Sequence, residues 1–90
     1  VANKKGYGNA MADCSCALEN MMLEANELEL GSCWINQLRW LDENPRINEY
    51  LKTLGLLDDE IVCGSLSVGY VEKLNRTITK RTGNVVTFIK

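Results

Sequence analysis

A helical repeat of apolar side chains over residues 11–30 is the longest regular pattern in the chain. Apolar residues recur there at alternating three- and four-residue spacing, which is the period of one face of an α-helix. This first stripe consists of Met11, Cys14, Leu18, Met21, Ala25 and Leu28, widened by Ala17 and Met22. We expect it to face the core of the domain, with Asn9 as the N-cap of the helix and Gly31 as the residue that ends it.

A second, narrower apolar stripe lies on another side of the same helix, with polar residues along both of its edges. Its members are Ala12, Cys16, Leu23 and Leu30. A helix with two apolar faces packs between its own core and a second surface. That surface is either the rest of a larger monomer or an identical subunit. We favour the subunit, because so small a domain rarely buries a helix on all sides.

Three further apolar runs predict strands. Residues 32–35 are typical of a short buried strand, residues 61–70 of a longer one and residues 84–89 of a last one. In the second run, Gly64 and Gly69 indicate that another backbone or a flat ligand approaches closely.

A second helix is marked by end signals rather than by length. Asn44 suits the N-cap, Pro45 suits the first helical position and Gly55 can end the helix. One apolar face is formed by Ile47, Tyr50, Leu51 and Leu54. The pattern predicts a short amphipathic helix at the surface.

Residues 36–44, which precede this helix, are polar and irregular, with room for one helical turn. Trp40 in this stretch is either a lid over a ligand or an anchor in the core. We favour the anchor, because aromatic side chains mostly serve packing.

Ninety residues allow one small domain, and the mixture of helices and strands predicts an α+β fold with a long central helix and short strands. Residues 1–3 look like the end of a strand. Two or three short strands cannot cover the long helix alone. We therefore expect a fragment whose sheet is completed by further residues or by another chain.

The composition is that of a soluble globular protein, 46% apolar and 24% charged, and no apolar run is long enough to predict a membrane span. The four cysteines lie in helical and strand-like apolar segments, which favours buried free thiols in a reducing cytoplasm over disulfides. Without His or a Cys-x-x-Cys motif, a metal site is not expected.

Charge is divided unevenly along the chain. Residues 1–60 contain five basic and eleven acidic side chains, net −6, whereas residues 61–90 contain five basic side chains and Glu72, net +4. The acidic total argues against nucleic-acid binding. The basic end needs a local anion, which is either the acidic long helix or a small phosphate ligand.

Catalysis by side chains alone is hard to build from these residues. The sequence has no His, no nucleophile beside a base and no Gly-rich phosphate loop that opens a helix. The pattern therefore favours a site in which a bound cofactor does the chemistry while the protein supplies walls, backbone donors and a phosphate anchor. No catalytic side chain is assigned.

Residues 13–35 resemble the central helix and following strand of the FMN-dependent nitroreductase family. The resemblance begins at Asp-Cys-Ser-Cys-Ala-Leu-Glu-Asn and ends at Leu-Glu-Leu-Gly-Ser-Cys-Trp-Ile. It continues through Gly-Ser-Leu-Ser-Val-Gly-Tyr at residues 64–70 and through the basic stretch before the last apolar run. The resemblance implies an α/β/α sandwich, of which residues 1–90 are the C-terminal half of a single domain.

What the resemblance implies is a homodimer packed through the long helix, with FMN at the interface. The flavin would be reduced by NADH or NADPH and reoxidised by nitroaromatics, quinones or similar acceptors. The residues placed at the flavin are Trp34, Ile35, Asn36 and Gln37 along one face of the ring, and Lys80 and Arg81 at the phosphate. A backbone N–H at Asn36 or Gln37 would point toward the ring nitrogen that accepts hydride.

Two departures from the family pattern stand out. Asn36 and Gln37 occupy positions that are glycine in many relatives, and the N-terminal Arg-Ser-x-Arg segment that holds FMN is absent from these residues. Two alternatives to a flavoenzyme stay open. One is a non-catalytic dimerisation or ligand-binding module that has lost the flavin, and the other is a redox module built on Cys14 and Cys16.

Overall fold

The computed structural model describes residues 1–74 and 77–90. In chain order its elements are β1 (Ala2–Lys4), α1 (Ala10–Glu27), β2 (Gly31–Ile35), α2 (Gln37–Leu41), α3 (Pro45–Thr53), β3 (Glu60–Val62) and β4 (Ser65–Gly69). The α+β expectation is confirmed, and the strand at the start, the turn of helix after β2 and both longer helices lie where the sequence predicts them.

The strands form two antiparallel pairs. β1 pairs with β3, with Ala2 opposite Val62, and β2 pairs with β4, with Ile35 opposite Ser65. The prediction of one strand over residues 61–70 is therefore wrong. The run breaks between β3 and β4, and its two halves pair with different strands.

The end of α1 also differs from the prediction. The helix ends at Glu27, and Glu29 takes the left-handed conformation, with φ of 59°. The Leu30 N–H donates to the Ala25 carbonyl at 2.8 Å, and the Glu29 N–H donates to the Asn26 carbonyl at 3.1 Å. This is a Schellman motif, which satisfies the last carbonyls of a helix. Gly31 is instead the first residue of β2.

The signals at the ends of α3 are confirmed. The Asn44 side chain accepts hydrogen bonds from the backbone N–H groups of Arg46 and Ile47, at 3.1 and 3.4 Å. Pro45 is the first residue of the helix, and Gly55 follows it with φ of +107°. Both ends of this helix are thus determined by local residues, as the sequence predicts.

The core lies between one face of α1 and the strands. Its buried side chains are Ala10, Cys14, Leu18, Ala25, Leu51, Val62 and Cys63. Three of these, Cys14, Leu18 and Ala25, belong to the first apolar stripe. Within the single chain the second stripe is largely uncovered, since Ala12 and Cys16 are exposed and Leu23 is 61% exposed.

The predictions for Trp40 and for residues 84–89 are both wrong. Trp40 is 67% exposed, with the Arg39 guanidinium 4.6 Å above its ring, so it does not anchor the core. Residues 84–89 form no strand, and Ile89 is 97% exposed. A β-strand is stabilised by hydrogen bonds to a neighbouring strand, and no strand of the described chain pairs with this segment.

No helix of the described residues is long and apolar enough to cross a bilayer.

Candidate functional site

The segment of residues 34–37 joins the end of β2 to the start of α2. Trp34 and Ile35 are half-buried as the last residues of the strand, while Asn36 and Gln37 are exposed. Asn36 occupies the N-cap position of α2, and its carbonyl accepts a hydrogen bond from the Arg39 N–H at 3.2 Å. The four predicted flavin-side residues therefore form one continuous corner between a strand and a helix.

The Trp34 indole packs against Gly64, which lies between β3 and β4 in the chain. A Cβ atom placed on Gly64 would lie 3.3 Å from Trp34 Cζ2 and 2.8 Å from Leu18 Cδ1. The close approach predicted at Gly64 is real, but two side chains make it rather than a backbone or a ligand. At Gly69 an added Cβ would meet no atom of the described residues within 4 Å, so no other part of the described chain makes the close approach predicted there.

A hydrogen bond from β4 holds the backbone of the corner. The Ser65 hydroxyl donates to the Ile35 carbonyl at 2.7 Å, across 30 residues of sequence. Sequence reasoning missed Ser65, since a lone serine in an apolar run gives no signal of its partner. Only the register of β2 against β4, which places Ser65 opposite Ile35, makes this contact possible.

Lys80 and Arg81 are the predicted phosphate residues, and they belong to the C-terminal segment that follows β4. Both side chains are exposed and stand outside the helices and strands. Within residues 1–74 and 77–90, no hydrogen bond or ion pair connects either of them to the segment 34–37. Four of the six predicted site residues thus form the corner, and no hydrogen bond or ion pair found among the described residues joins the other two to it.

The cysteines do not form a reactive pair at this site. Cys14 and Cys63 are buried together with Ala10, whereas Cys16 and Cys33 are exposed. Burial and the neighbouring Cys14 thiol raise the pKa of Cys63 to about 11, so this thiol is protonated at neutral pH. Because Cys14 is buried and Cys16 is exposed, the geometry gives no support to a Cys14–Cys16 redox motif.

An apolar groove runs between the C-terminal half of α1 and the β2–β4 pair. It has a volume of about 510 Å³. Its apolar lining is formed by Met21, Ala25, Leu28, Leu30, Leu66 and Val68. The groove shows that the first stripe of α1 is only partly covered by this chain, and Met21 and Leu28 remain 46% and 59% exposed.

Comparison with known proteins identifies the family. The profile of the Nitroreductase family matches residues 1–70, and the chain belongs to that family. The structure is similar to the crystal structure of a nitroreductase with bound FMN from Bacteroides fragilis NCTC 9343, with a TM-score of 0.86 and 33% identity. The match covers 99% of this chain and 48% of that one, so this chain spans about half the length of the nitroreductase. No curated protein matches the sequence.

Proposed function

We propose that this chain is the C-terminal half of a flavin-dependent oxidoreductase that binds FMN. The observation that carries the proposal is the similarity of nearly the whole chain to a nitroreductase with bound FMN, at 33% identity. In the full-length protein, further residues would supply the remainder of the flavin site. The chemistry supplied by bound FMN would be hydride transfer from NADH or NADPH to a nitroaromatic, quinone or related acceptor.

The corner at residues 34–37 fits one wall of such a site. Asn36 and Gln37 are exposed residues, and the Trp34 ring packs against Gly64. A backbone N–H is a rigid donor, which can stabilise charge that develops on a flavin nitrogen without reorganising. The role of this chain is thus to position a donor and to shape the wall, and no side chain of the corner needs to transfer a proton.

Lys80 and Arg81 would bind the FMN phosphate. Both are exposed, and neither forms an ion pair within the described residues. Arg suits this role because its planar guanidinium can bind a phosphate through two parallel hydrogen bonds. No hydrogen bond or ion pair found among the described residues joins them to the corner, so we propose that the complete assembly brings the phosphate residues and the flavin wall together.

A second copy of the chain is the partner that we propose. The second stripe of α1 leaves Ala12, Cys16 and Leu23 exposed, and the small residues among them permit close packing of two helices. The exposed apolar residues Val85, Phe88 and Ile89 would be covered in the same assembly. We also propose a reducing, cytoplasmic location, because all four cysteines are free thiols.

Anaerobic titration of the purified full-length protein tests this function. The visible absorption band of bound flavin should bleach on addition of NADH or NADPH and return on addition of a nitroaromatic or a quinone. If the band bleaches but does not return with one of these acceptors, that compound is not an acceptor for the reduced flavin. A colourless protein to which FMN does not bind would contradict the proposal and favour a non-catalytic dimerisation module.

A further inference from the structure

The hydrogen bond between Ser65 and Ile35 lies next to the backbone N–H group of Asn36. The Ile35 carbonyl faces β4, since it accepts from the Ser65 hydroxyl at 2.7 Å. The described residues contain no cis peptide bond, and in a planar trans peptide the carbonyl of one residue and the N–H of the next point in opposite directions. The Asn36 N–H therefore points away from β4.

On the side of β2 that faces away from β4, no described strand pairs with it. β2 pairs with β4 alone in the part of the chain that the structure describes. None of the hydrogen bonds found among residues 1–74 and 77–90 uses the Asn36 N–H, although the Asn36 carbonyl is engaged by Arg39. Asn36 is also exposed. A backbone donor is thus held in a fixed direction without a protein partner.

We propose that Ser65 is a positioning residue, whose hydroxyl fixes the Ile35–Asn36 peptide so that the Asn36 N–H is presented to the flavin. This inference rests on the proposed function. The hydroxyl acts in two ways. It removes the freedom of the peptide plane to tilt at the point where the strand gives way to the helix, and it polarises the peptide, which strengthens the N–H as a donor.

Ser65→Ala and Ser65→Thr in the flavin-loaded full-length protein separate this role from packing. Alanine removes the hydroxyl, and threonine keeps it at a position where a β-branched residue suits the strand. The matched control is Ser67→Ala, which removes an exposed hydroxyl from the same strand. Loss of one oriented hydrogen bond predicts a fall of about fivefold in the rate constant for flavin reduction at saturating NADH or NADPH.

The expected result is that Ser65→Ala slows flavin reduction with little change in the half-saturating nucleotide concentration, while Ser65→Thr and Ser67→Ala retain the original rate. A second readout is independent of turnover. The Asn36 amide should shift in the ¹H–¹⁵N NMR spectrum of the flavin-free protein in Ser65→Ala and remain near its original position in Ser65→Thr.

Equal rates and an unchanged Asn36 amide in Ser65→Ala would overturn the inference. It would also be overturned if alanine and threonine slowed reduction equally, because the hydroxyl would then be irrelevant. Failure of the proposed function looks different: the original protein would bind no FMN, whatever residue occupied position 65.

Discussion

Gly64 lies directly against the indole of Trp34, with no room for a side chain between the strand and the ring. A Cβ on Gly64 would come within 3.3 Å of Trp34 Cζ2 and 2.8 Å of Leu18 Cδ1, both tighter than ordinary van der Waals contact. The contact connects the core face of α1 to the corner at residues 34–37. We therefore expect a side chain at position 64 to displace the Trp34 ring.

Gly64→Ala should destabilise the protein. Overpacking a filled core costs about 1–3 kcal/mol, because neighbouring side chains are forced from their preferred rotamers. Urea unfolding of the two proteins measures the difference. The control is Gly69→Ala, where an added Cβ meets nothing within 4 Å. If both substitutions cost the same, a general glycine effect and not the Trp34 contact would explain the loss.

Cys63 should make the stability of the protein fall in alkaline solution. Burial and the Cys14 thiol raise its pKa from the ordinary 9.0 to about 11. Between these two values the unfolded chain releases the thiol proton while the folded chain keeps it, so the free energy of unfolding decreases as pH rises. Below pH 9 the thiol is protonated in both states, and its contribution is constant.

Urea unfolding at a series of pH values from 8 to about 11 measures this effect. Cys63→Ala should lose the part of the pH dependence that this thiol causes, whereas Cys33→Ala, which removes an exposed thiol, should retain it. Identical pH profiles for the original protein and Cys63→Ala would contradict the assignment.

Arg81→Ala in the full-length protein should weaken FMN binding by about tenfold, through loss of charge-assisted hydrogen bonds to the phosphate. Riboflavin, which lacks the phosphate, should bind the original protein and the variant with equal affinity. Fluorescence titration with both ligands gives the dissociation constants. Lys90→Ala is the control, a change of the same charge in the same exposed segment. Equal affinity of the original and Arg81→Ala proteins for FMN would refute the phosphate role.

Leu23→Glu should dissociate the proposed dimer. Leu23 is 61% exposed on the second stripe of α1, and a carboxylate there would be buried without a partner when two helices pack. The cost should be about 2 kcal/mol or more, roughly thirtyfold in the dissociation constant. Sedimentation velocity at several concentrations measures it. Leu57→Glu places the same charge on a leucine that is 59% exposed outside the helix, and should leave association unchanged.

The three helices α1, α2 and α3 could be predicted from the sequence because their signals are local. Asn44, Pro45 and Gly55 each act within one turn of α3. The prediction that Gly31 ends α1 was wrong, because Glu29 and not Gly31 takes the left-handed conformation. Glycine is favoured at such positions without being required, so the end predicted at Gly31 lies four residues after Glu27, the last residue of the helix.

The remaining errors concern contacts between distant residues. The break between β3 and β4 depends on two different partner strands, and no local pattern near Cys63 or Gly64 reveals their places. Residues 84–89 have the composition of a strand but no ladder beside them in the described chain. Likewise, the family resemblance indicated the corner at residues 34–37. The contact of Ser65 with this corner could not be predicted, because it depends on the register of β4 against β2.

Native mass spectrometry of the purified full-length protein tests the central claim most directly, because it reports chain length, stoichiometry and bound FMN together. We predict a dimer that carries one FMN per subunit, released as a fluorescent flavin on denaturation. A dimer without flavin, which remains colourless after incubation with excess FMN, would contradict the claim that this chain forms part of a flavin-dependent oxidoreductase.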